Sequence, residues 1–319
     1  MLLRRVLAAL AVAGLAALAG CDDGSTGAAE PESTGTSTAT STATSTGTAG
    51  ATASAAPSSA FPSYVALGDS YTAAPGVPQT ETETGCFRSS GNYPQLVAAQ
   101  LGSTVVDVSC SGATTRDLTG RQRFGEQVQA PQLAALSTDT SLVTLGMGGN
   151  DFGVFQTLIG ECVQLATQDP GGSPCRERMQ AAGEQQDLLV GKIGKIGARI
   201  ATSVEAIHER APNAEVVVVG YPQPVPERGS CPILPLATGD YSYVGSIVAD
   251  LNDALRTAAR QGQARFVDVV AASAGHDVCA GADAWVNGST TDLSRAVAYH
   301  PFAVEQQAVA DLVVAALGS

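Results

Sequence analysis

From about residue 61 to the C-terminus, short continuous apolar runs alternate with longer stretches whose apolar positions recur at helical spacing. The runs predict five strands: Tyr64–Leu67, Thr104–Val108, Ser141–Leu145, Glu215–Pro222 and Ala264–Val270. Because each run is continuous rather than alternating, both faces of every strand are expected to be covered. The pattern predicts an α/β fold, a three-layer α/β/α domain around a parallel sheet of about five strands.

The stretches between these runs predict helices. They are Asn92–Leu101, the short Pro131–Leu136, residues 181–211, Tyr243–Ala259 and a final helix that begins with Pro301 at its first position. The longest of them carries isoleucines at helical spacing and ends at Pro212, which cannot continue a helix. Strands that alternate with helices favour one parallel sheet over two separate small domains.

The N-terminus has a different character. Arg4 and Arg5 precede an uncharged apolar run from Val6 to Ala19, which is short for a membrane span. Residues 1–20 therefore predict a secretory signal peptide.

Cys21 follows this run directly. The sequence Leu18-Ala19-Gly20-Cys21 resembles the lipobox of bacterial lipoproteins and predicts that Cys21 is lipidated; an ordinary signal peptide with an incidental cysteine is the alternative. Residues 21–60, rich in Ser, Thr, Ala and Gly, predict a disordered tether. We expect residues 61–319 to be an exported domain, held by a lipid anchor at the extracellular face of the cell membrane, or secreted.

Charge and cysteines narrow the set of partners. The formal net charge of −13 argues against nucleic acid, whose phosphates repel an acidic chain. Six cysteines follow Cys21, namely Cys86, Cys110, Cys162, Cys175, Cys231 and Cys279. In an exported domain they predict three disulfides, although spacing alone does not choose the pairing. The chain has no Cys-x-x-Cys and only three histidines, so we expect no metal site. We also expect no cofactor and a monomer.

Candidate chemistry begins at Gly68-Asp69-Ser70-Tyr71, which places a serine at the carboxyl end of the first strand. Taken alone, these residues could be only a turn. A serine nucleophile needs an adjacent base. His208 lies on the long predicted helix and His276 near Cys279, whereas His300 lies in a loop after the last strand. His300 is therefore the favoured base, and His276 the alternative.

Acyl transfer also needs donors aimed at the developing oxyanion. The N–H groups of Ser70 and Gly112 and the side-chain amide of Asn150 could supply three, because each follows a predicted strand. Asp69 and Asp151 are expected to brace their turns, and Trp285 to pack beside the site.

Four blocks carry a resemblance to a known family: Gly68-Asp69-Ser70-Tyr71, Gly112, Gly148-Gly149-Asn150-Asp151 and His300-Pro301. In this order they resemble the GDSL, or SGNH, hydrolases, which have a flavodoxin-like fold. Segments around Cys86, Cys110 and Trp285 further resemble the actinobacterial secreted lipase/esterase branch. The resemblance implies disulfides Cys86–Cys110, Cys162–Cys175 and Cys231–Cys279.

The resemblance also implies that Ser70 is the nucleophile, that His300 is the base and then the acid, and that Ser70, Gly112 and Asn150 form the oxyanion hole. The family usually has an aspartate three residues before the histidine, but this chain has Val297 there. We therefore predict a Ser-His dyad in which the main-chain carbonyl of Val297 orients the imidazole, with Asp292 as the alternative.

These residues predict a carboxylic ester hydrolase of the esterase or lipase type that works through an acyl-Ser70 intermediate. A phospholipase or a carbohydrate acyl esterase of the same family is an alternative. A surface-binding lipoprotein that keeps the fold without activity is another. The substrate is expected to be a small-molecule or lipid ester.

Overall fold

The computed structural model describes residues 59–182 and 186–318. The predicted signal peptide, the lipidation of Cys21 and nearly all of the predicted tether lie outside these residues.

Seven strands form two sheets. They are β1 Ser63–Gly68, β2 Thr104–Asp107, β3 Gln122–Phe124, β4 Gln127–Gln129, β5 Leu142–Gly146, β6 Glu215–Val219 and β7 Arg265–Val267. Five of them make one sheet in the order β2-β1-β5-β6-β7, and every neighbouring pair is parallel. Strands β3 and β4 pair separately as an antiparallel hairpin. The predicted five-stranded parallel sheet is confirmed, and its order is that of flavodoxin-like folds.

Nine α-helical segments surround the sheet in the described residues. They are α1 Ser70–Ala73, α2 Tyr93–Leu101, α3 Val154–Gln156, α4 Cys162–Ala166, α5 Pro174–Ala182, α6 Leu188–Arg210, α7 Tyr241–Gln261, α8 Val269–Ala272 and α9 Ala303–Leu317. A π-helical turn at Thr157–Glu161 joins α3 to α4.

Two separate groups of buried side chains define the layers. On one face Tyr64 and Ala66 pack with α2 and α9. On the other face Val65 and Leu67 pack with α6 and α7. Alternate residues of one strand thus enter opposite cores, which is why the strand reads as a continuous apolar run.

Several predicted boundaries differ from the structure; the strand predicted through Pro222, for example, ends at Val219. In two cases an aspartate sets the boundary. The helix predicted from residue 181 begins at Leu188, because the Asp187 side chain caps it by accepting from the Leu189 and Val190 amides. The strand predicted through Val270 ends at Val267, because the Asp268 side chain accepts from the Ala271 amide and starts α8. In both places a capping aspartate, rather than the apolar pattern, sets the boundary.

The structure joins Cys86 to Cys110, Cys162 to Cys175, and Cys231 to Cys279, the three pairs that the family resemblance implies. Across residues 59–182 and 186–318, none of the helices combines the length and the apolar character that crossing a membrane requires.

Candidate active site

The structure places Ser70 after the carboxyl end of β1, where the strand order of the central sheet reverses. Strand β1 ends at Gly68, and Ser70 is the first residue of α1. The Asp69 side chain caps this helix by accepting from the Tyr71 amide at 2.9 Å, while the Asp69 amide donates to the Gly146 carbonyl at 3.0 Å. Strand β1 lies between β2 and β5, so the turn opens at the switch point where α/β sheets place ligands.

Gly68, which precedes this turn, has no space for a side chain. The side-chain oxygen of Gln132 accepts from the Gly68 N–H at 2.8 Å, and the side-chain nitrogen of Gln132 donates to the Gly68 carbonyl at 2.9 Å. A Cβ on Gly68 would lie 2.9 Å from the Gly146 carbonyl oxygen and closer still to the Thr72 side chain. The backbone here can therefore approach its neighbours only if residue 68 is glycine.

Asp69 is fully buried and connects the serine turn to the Gly149 segment. The Tyr221 hydroxyl donates to the Asp69 carboxylate at 2.6 Å and accepts from the Gly149 amide at 2.8 Å. Burial raises the pKa of Asp69 to about 7, although the hydrogen bonds from Tyr221 and Tyr71 act in the opposite direction. Asp69 braces the turn, as the sequence indicated.

Asn150 and Gly112 come from the ends of β5 and β2 and lie close together. The Asn150 side-chain amide donates to the carbonyl of Ala113, next to Gly112, at 3.1 Å. Gly112 has a φ of 72°, in the region that favours glycine. In the part of the chain that the structure describes, the N–H groups of Ser70 and Gly112 donate to no protein acceptor. Both N–H groups are thus available to a ligand.

Asp151 connects the loops that carry Gly112 and Asn150. It is fully buried, and its carboxylate accepts from the amide and hydroxyl of Thr115 and from the guanidinium of Arg199 on α6. The loop after β2 and the loop after β5 are thereby tied to each other and to a helix.

The His300 ring corrects one prediction. Its Nδ1 lies 2.8 Å from the carbonyl oxygen of Ala298, not from that of Val297. The Val297 carbonyl closes a turn by accepting from the His300 amide at 3.1 Å, and it also accepts from the Asn287 side chain at 3.2 Å. The prediction of Val297 was wrong by one residue, because its oxygen points into that turn.

The alternative orienting group, Asp292, does not contact the ring either. Its side chain is exposed and accepts from the amide and hydroxyl of Ser294, which hold the pKa of the carboxyl below its usual range. No carboxylate therefore partners the His300 Nδ1 atom in the described structure.

A carbonyl oxygen can only accept, so the contact with Ala298 places the proton on Nδ1 and leaves a lone pair on Nε2. Burial lowers the pKa of His300, and the Ala298 carbonyl opposes part of that shift. His300 is thus neutral at neutral pH, with a free base at Nε2.

Two residues that sequence reasoning missed hold the His300 loop. The Asn287 side chain donates to the carbonyls of Thr290, Ala296 and Val297. The Tyr71 hydroxyl donates to the Tyr299 carbonyl at 2.8 Å, which connects this loop to α1. A polar residue in a loop, as Asn287 is, gives no sequence signal for such contacts.

Ser70, Asn150 and His300 border one cavity of about 90 Å³. Its other walls are mainly apolar and include Phe155, Leu158, Leu234, Leu236, Val244 and Val248. Gly112 is not among the lining residues, and its neighbour Ala113 contacts the site by accepting a hydrogen bond from the Asn150 side chain. The arrangement combines a serine, a neutral imidazole and free N–H donors at the mouth of an apolar pocket.

The other two histidines lie elsewhere. The His276 ring stacks on Trp285 at 4.7 Å, and its Nδ1 contacts the Asp283 carbonyl. His208 contacts the Gly262 carbonyl from α6. Over the described ranges, no three His, Cys, Asp or Glu side chains are grouped so as to hold a metal ion.

Comparisons with known proteins identify the family of the chain. Residues 66–318 match the model of the GDSL-like Lipase/Acylhydrolase family. The chain is 38% identical over 270 residues to Lipase 2 of Streptomyces coelicolor, a match that covers 82% of this chain and 88% of the relative.

Two solved structures have the same fold. One is phospholipase A1 of Streptomyces albidoflavus NA297, with a TM-score of 0.66, 28% identity and coverage of 80% of this chain and 99% of that one. The other is an extracellular lipase of Streptomyces rimosus, with a TM-score of 0.65, 30% identity and the same coverage. The predicted family and its actinobacterial branch are confirmed. The chain belongs to the GDSL-like lipase/acylhydrolase family and is a serine ester hydrolase.

Proposed function

We propose that the chain hydrolyses carboxylic esters with an apolar acyl chain through an acyl-Ser70 intermediate, using a Ser70–His300 dyad. The observation that carries the proposal is that Ser70, Asn150 and His300 border the same apolar cavity. An ester carbonyl at the mouth of the cavity lies beside the serine while its acyl chain enters the apolar interior.

His300 supplies the base. Because Nδ1 is held by the Ala298 carbonyl, Nε2 is the atom that accepts the Ser70 proton as Oγ attacks the ester carbonyl. The imidazolium then gives this proton to the leaving alkoxide as the alcohol departs. In the second half, Nε2 takes a proton from water as the oxygen of that water attacks the acyl-enzyme; the bond between the acyl carbon and Ser70 Oγ then breaks, the imidazolium returns its proton to Oγ, and the acid leaves.

The oxyanion of each tetrahedral intermediate needs donors that are fixed before the reaction. Free N–H groups at Ser70 and Gly112 support that role. Asn150 gives one amide hydrogen to Ala113, and the second remains for the oxyanion. We assign these three donors, which follow β1, β2 and β5, to the oxyanion.

A dyad without a carboxylate has a consequence for pH dependence. Burial lowers the pKa of His300 below the ordinary value of about 6.5, the Ala298 carbonyl opposes part of the shift, and no ion pair with a carboxylate reverses it. The acid limb of kcat/KM reports this group, because protonation removes the base. We therefore expect kcat/KM to be lost as the pH falls through a His300 pKa that lies below about 6.5.

The test compares hydrolysis of p-nitrophenyl butyrate by the wild type with that by Ser70→Ala and His300→Ala. Each variant is expected to lose at least about 10³-fold in kcat/KM, since neither group of the dyad acts alone. His276→Ala is the matched control, because this histidine is half-buried against Trp285 and lies outside the cavity, and it should retain wild-type activity. Wild-type rates no greater than those of Ser70→Ala would reject the proposal in favour of a surface-binding protein.

We further propose that the domain acts outside the cytoplasm on a lipid anchor at Cys21. Three disulfides support an oxidising compartment, and the Leu18-Ala19-Gly20-Cys21 pattern supports the anchor. Mass spectrometry of the mature N-terminus should find a lipid-modified Cys21. An unmodified Cys21, or cleavage at another position, contradicts the anchor.

A further inference from the structure

The size of the cavity limits the acyl chain that can enter it. Its volume is about 90 Å³. An engineered apolar cavity of about 150 Å³ holds benzene, a molecule of six carbons. The space beside Ser70 therefore encloses only a few carbons, unless a wall moves.

One wall of the cavity is a long helix. Val244 and Val248 lie on α7, which runs for 21 residues and packs against α6, and both side chains are almost fully buried. A wall anchored in the hydrophobic core cannot retreat without displacing the close-packed side chains behind it.

A second wall consists of two loop segments that a disulfide joins. Leu234 and Leu236 come from the segment after Cys231, and Val278 precedes Cys279. The Cys231–Cys279 bond joins the two segments covalently. The Val278 amide also donates to the Pro224 carbonyl at 3.4 Å.

A buried tyrosine adds to this clamp. The hydroxyl of Tyr241, at the start of α7, accepts from the Cys231 amide at 3.0 Å and contacts the Leu234 carbonyl oxygen at 2.5 Å. The loop wall is thus hydrogen-bonded to the helix that supplies Val244 and Val248, which limits how far the loop can move from it.

We infer that the Cys231–Cys279 bond and the two loop segments it joins, together called the clamp, set the upper limit of acyl-chain length. This inference rests on the proposed ester hydrolysis. It makes esters of short acids, of about four to six carbons, the substrate class. Each further methylene of the acyl chain that is buried against the apolar walls raises kcat/KM about fourfold. Beyond the clamped length a chain must displace the loop wall or leave its end at the mouth, where Ile159 is 39% exposed.

The inference is tested with p-nitrophenyl esters from acetate to dodecanoate. For the wild type, kcat/KM should rise to butyrate or hexanoate and fall beyond. The double variant Cys231→Ala/Cys279→Ala should shift the maximum to longer chains and raise the octanoate-to-butyrate ratio of kcat/KM by about tenfold. A wild-type value that keeps rising to dodecanoate, or an unchanged ratio in the double variant, overturns the inference.

Loss of a disulfide can also unfold the domain, so a second variant keeps all three bonds. Leu236→Ala widens the loop wall and should raise the same ratio about fivefold. Leu96→Ala is its matched control, because Leu96 is a partly buried leucine that packs in the core between α2 and α9, on the other face of the sheet. An unchanged ratio in folded Leu236→Ala, or an equal rise in Leu96→Ala, overturns the inference.

The outcomes separate the two proposals. If no ester is hydrolysed faster by the wild type than by Ser70→Ala, the proposed function itself fails. If esters are hydrolysed with a chain-length profile that neither variant changes, only the clamp fails.

Discussion

The segment that carries Ser70 is the end of a strand and the start of a helix, whereas residues 287–301, which carry His300, form neither a helix nor a strand of the sheet. Ser70 is placed by neighbours in the sequence: Gly68 ends β1 and Asp69 caps α1. His300 is placed by side chains that contact its loop, chiefly Asn287 and, from α1, Tyr71. Two groups that must meet at one substrate atom are thus fixed by local geometry in one case and by loop contacts in the other.

This difference teaches where each half of the site is vulnerable. A strand end is supported by the whole sheet as well as by the side chains that contact the turn, so the loss of one contact should move Ser70 little. The His300 loop depends on a few hydrogen bonds, each worth about 1 kcal/mol, so single side chains can loosen it.

The largest effect is expected from Gly68→Ala. The new Cβ would overlap the Thr72 side chain and approach the Gly146 carbonyl, and the turn can relieve this only by moving Ser70. We expect a loss of about 1–3 kcal/mol in the free energy of unfolding and at least about 10²-fold in kcat/KM. Urea unfolding and ester hydrolysis measure the two losses.

Gly194→Ala is the matched control for this change. Gly194 lies on α6, and a Cβ there meets nothing within 4 Å. Alanine should leave kcat/KM unchanged and stabilise the helix by about 0.5–1 kcal/mol. Wild-type activity in Gly68→Ala would show that the strand end does not fix the serine.

A smaller effect is expected from Asn287→Ala. The variant loses three hydrogen bonds to loop carbonyls, while the serine turn is unaffected. We expect kcat to fall about 10- to 50-fold with little change in KM, because His300 loses its position and the apolar cavity is intact. Steady-state kinetics separate the two constants.

The exposed Asn213, which donates to the Thr138 carbonyl, is the control residue, and Asn213→Ala should match the wild type. If Asn287→Ala raised KM and left kcat unchanged, the loop would be acting on substrate binding instead of on the histidine.

The smallest effect is expected from Asp292→Asn. Asp292 is exposed and bonded to Ser294, so its charge does not support the imidazolium. kcat/KM should stay within about twofold of the wild type, and the acid limb of the pH profile should not move. A loss of several hundredfold in a folded variant would make Asp292 the missing acid of a triad.

The same contrast explains what could be predicted from the sequence. The five strands, Ser70 and the loops of Gly112 and Asn150 follow from apolar runs that end in glycine and polar residues, which is a local pattern. His300 was favoured by its place in a loop after the last strand and again by the family resemblance, which also implied the disulfide pairing.

The contacts that orient the histidine were not predictable. Which carbonyl faces the ring depends on the turn closed by Val297 and on Tyr299, whose φ of 62° is unusual for a residue other than glycine. Gln132 and Tyr221 likewise act through partners more than 60 residues away. Such contacts leave no periodicity in the sequence.

The central claim is that a main-chain carbonyl, not a carboxylate, orients a neutral His300. Heteronuclear NMR of the imidazole nitrogens, assigned by comparison with His300→Ala and followed through a pH titration, tests it most directly. The account predicts a proton on Nδ1, an unprotonated Nε2 at neutral pH and a pKa below about 6.5. A neutral tautomer protonated on Nε2, or a pKa above about 7 as expected beside a carboxylate, would contradict it.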